Sequence, residues 1–92
     1  MKVYLTAFVK AKIESVNELS LALQKLVEHS RQEPACIQYD LHQGTDDPTV
    51  FIFHEIWESH EGLDIHNQQP YLKNFPSQLV DGGVAVYKTT KL

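Results

Sequence analysis

The side chains able to do chemistry gather in one stretch, residues 50–66, with the sequence VFIFHEIWESHEGLDIH. It holds the single tryptophan, Trp57, the histidines His54, His60 and His66, and the carboxylates Glu55 and Glu58. Imidazole is the side chain whose ordinary pKa lies near neutrality, so a well-placed histidine can move protons. Indole offers one N–H donor and a broad aromatic face. Three histidines in so short a run also suggest a metal, but periodicity separates them. On a strand His54 points away from Trp57, and on a helix His60 and His66 fall on different faces. HEIWE is not the HExxH zinc motif, and no Gly-rich phosphate loop follows a strand. Nothing in the spacing favours a Ser-His-Asp triad. The expectation is a site without metal, flavin or nucleotide.

The elements that must position these groups follow from the pattern. Residues 2–10 read as a strand, with Val3, Leu5, Ala7 and Val9 on one side and Tyr4, Thr6 and Phe8 on the other. Both sides are mostly apolar, so both are expected to be covered. Ser15-Val16-Asn17-Glu18 reads as a capping box. Val16, Leu19, Leu23, Leu26 and Val27 then recur at helical spacing. That helix should span about 15–31 and stop before Pro34, because Glu33 is pushed out of the helical region. His29 reads as a surface residue at its C-terminal end. Residues 35–43 form a second strand, with Ile37, Tyr39 and Leu41 on one face and Cys36, Gln38, Asp40 and His42 on the other. Gly44-Thr45-Asp46-Asp47-Pro48 is turn chemistry for a hairpin into the third strand, 50–57. There Phe51, Phe53, Glu55 and Trp57 share a face.

Ser59 is a good N-cap for a short helix through about His66, slightly weakened by Gly62. Pro70 suits the start of a further helix that Pro76 interrupts. Asp81-Gly82-Gly83 reads as a turn, and 84–89 as a fourth strand. The order β-α-β-β-α-β with right-handed crossovers predicts a ferredoxin-like α+β domain spanning 1–92. Its sheet is four-stranded and antiparallel, with both helices on one face. The other face would carry Ile, Phe and Val side chains, so a homodimer through that face is expected.

Composition narrows the function classes. The net charge is −4, and the eight Lys and Arg residues are scattered, which argues against nucleic acid. No run approaches the ~18 apolar residues of a membrane span. The N-terminal residues alternate like a strand and lack a small-residue cleavage site. One cysteine, Cys36, allows no internal disulfide and reads as a small core residue. The expected location is cytoplasmic.

The run EPACIQYDLHQ, the Pro-containing hairpin, FIFHEIWES, a helix ending in His66, and QPYLKNF together resemble the antibiotic biosynthesis monooxygenase family of dimeric α/β barrels. The most specific piece is Glu-x-Trp-x-Ser at Glu55, Trp57 and Ser59, followed by His66. Within that family the chain looks most similar to small quinol monooxygenases. The resemblance implies oxidation of phenolic or quinol substrates by dioxygen, without bound metal or flavin. It also implies a pocket between sheet and helices. Members similar to this one often carry a second histidine where Tyr71 stands here, and tyrosine is a poor base near neutral pH. A related haem-degrading branch uses a first-strand asparagine, which this chain lacks.

Such chemistry requires a base, a hydrogen-bond donor and a dry aromatic cavity. His66 is the first candidate base, and Glu55, if its pKa is raised, the second. Trp57 can donate its N–H and stack on a substrate ring. Tyr71 and Asn67 are candidates to orient a phenolate, and Phe51, Phe53 and Tyr39 to wall the pocket. The expected partners are a small aromatic substrate and dioxygen. Two other functions are compatible with these residues. One is an isomerase moving a proton on a small carbonyl metabolite. The other is a non-enzymatic dimeric module that binds small aromatic ligands. An open pocket beside Trp57 is what all three require.

Overall fold

The structure, a computed structural model, describes residues 1–72 and 76–92. The chain forms β1 (Val3–Ala11), α1 (Val16–Arg31), β2 (Cys36–Gln43), β3 (Val50–Trp57), α2 (His60–Asn67) and β4 (Leu79–Thr89). Short 3-10 turns occupy Ile13–Ser15, Pro70–Leu72 and Pro76–Gln78. All neighbouring strands are antiparallel, in the order β2-β3-β1-β4. This is the ferredoxin-like arrangement predicted from the element order.

Period-two alternation decides which side chains enter the core. Register pairs Val3 with Trp57, Leu5 with Glu55, Ala7 with Phe53 and Val9 with Phe51. All eight are buried, whereas the alternate residues Tyr4, Thr6, Ile52 and Ile56 are half-buried and Phe8 is exposed. Leu19, Leu23, Leu26 and Val27 of α1, and Leu63 of α2, join the same core cluster. Both helices therefore cover one face of the sheet. Each fully buried aliphatic side chain contributes roughly 1.5–3 kcal/mol to that packing.

Three local expectations are corrected. First, no capping box forms at Ser15. That residue ends the Ile13–Ser15 turn and makes no side-chain cap. The Glu18 carboxylate instead accepts from Gln78 Nε2 at 2.7 Å. Second, strict alternation fails in β2. The register shifts between Cys36, opposite Trp57, and Gln38, opposite Ile56. The extra residue, Ile37, is 46% exposed. A bulge changes the parity of the strand, so Cys36 packs on the core side with Tyr39 and not against it. Third, Asp81-Gly82-Gly83 does not precede the last strand but lies within it. Val9 pairs with Val84 and Ala11 with Leu79, so the extra residues between them bulge out. Gly82 has φ 66°, a conformation costly for residues with a Cβ.

The β2–β3 hairpin closes as predicted, with Gly44 N–H donating to Val50 O at 2.8 Å. The Ser59 side chain caps α2, accepting from Gly62 N–H at 3.0 Å. Gly62 proves to be more than a weak helix former. A Cβ built there would stand 2.3 Å from the Ala35 Cβ, so the glycine lets α2 approach the chain entering β2. In an open helix Gly→Ala is stabilising by up to ~1 kcal/mol. Here Gly62→Ala is expected to destabilise by ~1–3 kcal/mol through overpacking. Urea denaturation checks the sign, and a rise in midpoint would show that the contact relaxes freely.

Candidate active site

The core face of β3 ends in Glu55 and Trp57. Trp57 is 0% exposed, and burial of its indole N–H demands an acceptor. Glu55, two residues earlier on the same face, supplies it: Nε1 donates to Oε1 at 2.9 Å. Tyr39 of β2 pairs with Glu55 across the strands. Its ring meets Phe53 at 5.3 Å, Trp57 at 6.1 Å and His66 at 5.4 Å between centroids. His66, in the last turn of α2, lies over Trp57 with ring centroids 4.4 Å apart. The imidazole is 3% exposed and is therefore part of the core.

Its polar partner comes from a residue the sequence reading passed over. His66 Nδ1 is 2.7 Å from Glu33 Oε2, and the Tyr71 hydroxyl donates to the same oxygen. Glu33 sits at the corner between α1 and β2. Its N–H donates to Ser30 O at 3.1 Å, its carbonyl accepts from Cys36 N–H at 3.0 Å, and Pro34 follows. Its Oε1 is buried and has no partner among the described residues. The Tyr71 ring stacks on His29 at 5.2 Å with 22° between planes, so exposed His29 flanks the outer side of the cluster. The available signal for Glu33 was a lone carboxylate next to a proline, between two apolar runs.

The structure brings His66, Trp57, Glu55, Tyr39, Phe53 and Tyr71 together. Phe51 is buried further along β3, at the floor of a groove with Val27 and Leu41. Asn67 is exposed at the end of α2. Among the described residues, Trp57 itself is enclosed. The indole N–H is held by Glu55, and the imidazole of His66 packs on the ring. As strand geometry predicts, His54 lies on the other sheet face, where it meets His42 with ring centroids 5.4 Å apart. His60 is exposed. Among the described residues, no group of three or more His, Cys, Asp and Glu could hold a metal ion.

The enclosed site perturbs its ionisable groups. Burial pushes the Glu55 carboxyl up to about 7, opposed by the Trp57 hydrogen bond and assisted by the negative charge of Glu33. Burial, then the Glu55 charge, raises the Tyr39 hydroxyl. Burial raises Tyr71 as well, followed by its bond to Glu33. The Cys36 thiol is pushed up by burial and then by Glu33. The arrangement therefore keeps both tyrosines neutral as donors. It leaves Glu55, at about 7, able to exchange a proton near neutral pH.

Residues 2–77 match the antibiotic biosynthesis monooxygenase family. The chain belongs to that family. It is 32% identical over 73 residues to the Bacillus subtilis (strain 168) protein called "Putative monooxygenase YcnE", covering 79% of this chain and 77% of that one. It is 33% identical over 73 residues to "Uncharacterized protein sll1783" of Synechocystis sp., covering 79% of this chain. The match spans about half of that relative's length, 50%. The crystal structure of PA3566 from Pseudomonas aeruginosa superposes with a TM-score of 0.89 at 27% identity, covering 99% of this chain and 94% of that one. Among the described residues, no helix is long and apolar enough to cross a membrane.

Glu55 gives this family member a testable pH signature. Its carboxyl rises from about 4.5 to about 7, so between those values the folded state binds more protons than the unfolded state. Stability is therefore expected to fall as pH rises through that window and to level off above it. The full effect is roughly 3 kcal/mol. Glu55→Gln keeps an acceptor for Trp57 and should flatten this dependence and raise stability at pH 8. Denaturant midpoints measured from pH 4 to 9 check it. An unchanged slope in the variant would remove Glu55 as the source.

Proposed function

We propose that this chain is a monooxygenase that oxidises a quinol or polyphenol with dioxygen, without bound metal or flavin. The observation that carries the reading is the buried His66 imidazole, enclosed by aromatic rings and bonded through Nδ1 to a carboxylate. Family membership and the name borne by the Bacillus subtilis relative support it. In this chemistry the substrate is its own reductant, and removal of a hydroxyl proton makes it a better one. His66 is the base. One oxygen atom enters the ring, and the other leaves as water with hydrogens and electrons from the substrate. Glu55 and Tyr39 complete the surroundings, and the aromatic shell excludes water from reactive intermediates. The half-buried ring of Tyr71, beside exposed His29, marks the side from which a ligand approaches.

The same reading includes a homodimer through the open sheet face and a reducing, cytoplasmic location. Phe8 and Tyr87 meet edge-on at 6.2 Å on that face, and both are exposed. Half-buried Tyr4, Ile52 and Ile56 extend the apolar surface between strands. A second reading is a dimeric module that binds small aromatic ligands without turnover. An isomerase would use the same base on a carbonyl ligand, with no need of dioxygen.

Oxygen consumption by chelator-treated protein with a hydroquinone tests the proposal. Uptake is expected in the wild type, and His66→Ala should lower kcat by about 100-fold or more. Saturable binding without oxygen uptake would favour the module, and turnover under anaerobic conditions the isomerase. Full activity in His66→Ala would take the base away from this site.

A further inference from the structure

We propose that Glu33 is the positioning residue of this site. It holds His66 with a proton on Nδ1 and leaves the Nε2 lone pair to take the hydroxyl proton of the substrate. The catalytic half of this statement rests on the monooxygenase reading. The tautomer assignment rests on geometry alone.

Two donors converge on one oxygen. Tyr71 O–H donates to Glu33 Oε2, and His66 Nδ1 lies 2.7 Å from the same atom. With Oε2 acting as the acceptor of the Tyr71 hydroxyl, the hydrogen of the second contact belongs on Nδ1. In neutral imidazole the other nitrogen is then the acceptor. Nε2 makes no hydrogen bond among the described residues. The second carboxylate cannot do the same work, because Glu55 is committed to the Trp57 indole at 2.9 Å. Glu33 is also held in place before any ligand arrives. Its backbone bonds to Ser30 and Cys36, Pro34 restricts its conformation, and its side chain is only 12% exposed.

The proton balance is simple. The hydroxyl proton passes to Nε2, the O–H bonding pair stays on the substrate oxygen, and the resulting imidazolium faces the Glu33 carboxylate. A buried positive charge is strongly favoured by such a partner. Several other groups face the imidazole. Tyr39 comes from β2, Trp57 from the end of β3 with Glu55 on its indole N–H, and Tyr71 from the Pro70–Leu72 turn with His29 of α1 behind it. Burial keeps both tyrosines neutral through the range of interest, so Glu33 and Glu55 are the acidic groups of this cluster.

Side-chain 15N NMR of the wild-type protein reads the tautomer directly and needs no variant. Neutral His66 is expected to carry its proton on Nδ1. In Glu33→Gln the kcat for hydroquinone oxidation should fall on the order of 100-fold with KM little changed. The acidic limb of its kcat/KM profile should move down by about one pH unit, because the imidazolium has lost its anion. Glu33→Asp should restore part of both, since the charge remains. An Nε2–H tautomer in the wild type overturns the assignment. So does a Glu33→Gln enzyme with unchanged kcat and an unshifted limb. A wild type with the Nδ1–H tautomer that consumes no oxygen sinks the monooxygenase reading instead and leaves the role of Glu33 in holding His66 standing.

Discussion

Complete burial of Trp57 is the constraint from which the rest of the site follows. The largest side chain in the protein brings a polar N–H into a region without water, and that donor must be satisfied. The acceptor two residues earlier on the same strand face is Glu55, so satisfying the indole buries a carboxyl group as well. The carboxyl then resists ionisation, and its pKa climbs to about 7. A weakly acidic group consequently stands in the middle of an aromatic core. Tyr39, directly opposite across the strands, remains neutral for the same reason. One packing decision at the end of β3 thus sets the electrostatics of the whole cluster.

The two carboxylates divide the polar work. Glu55 faces an indole donor within a strand and is held toward the neutral form. Glu33 faces an imidazole and a phenol at a chain corner and receives two donors on one oxygen. Each group is specified by a different feature of the backbone: the parity of β3 for Glu55, and the α1–Pro34 corner for Glu33.

Much of the architecture was legible because it depends on periodicity. The helical spacing of Leu19, Leu23 and Leu26, the alternation through Phe51, Phe53 and Trp57, and the cap at Ser59 each follow local rules that survive in the fold. What could not be read depends on insertions and on contacts distant in sequence. The bulge at Ile37 moves Cys36 to the core, yet its own residues look like an ordinary strand. Asp81-Gly82-Gly83 carries turn composition, but pairing with β1 on both sides keeps it within a strand. In the site, the expectation that His66, Trp57 and Tyr39 meet came from the family resemblance. Glu33 was not legible, because the pair it forms with His66 spans two elements and no local pattern encodes it. The close packing of His66 on Trp57 was equally invisible, since alternation says which face is inside and not how tightly it packs.

The corner that presents Glu33 also fixes the helix that presents His66. A helix of eight residues is marginal by itself, so α2 must be held from outside. Three contacts do this along its length. Before the helix begins, Glu58 N–H donates to Ala35 O at 2.9 Å. In its first turn the absence of a side chain at Gly62 admits Ala35 at close range. In its last turn His66 meets Glu33. All three partners lie on residues 33–35, immediately after α1. The spacing between His66 and Glu33 is therefore set by the same contacts that keep α2 folded against the sheet. Loosening the corner would move His66 relative to Trp57 and Glu33 together, so the geometry of the site and the stability of this helix are one property of the chain.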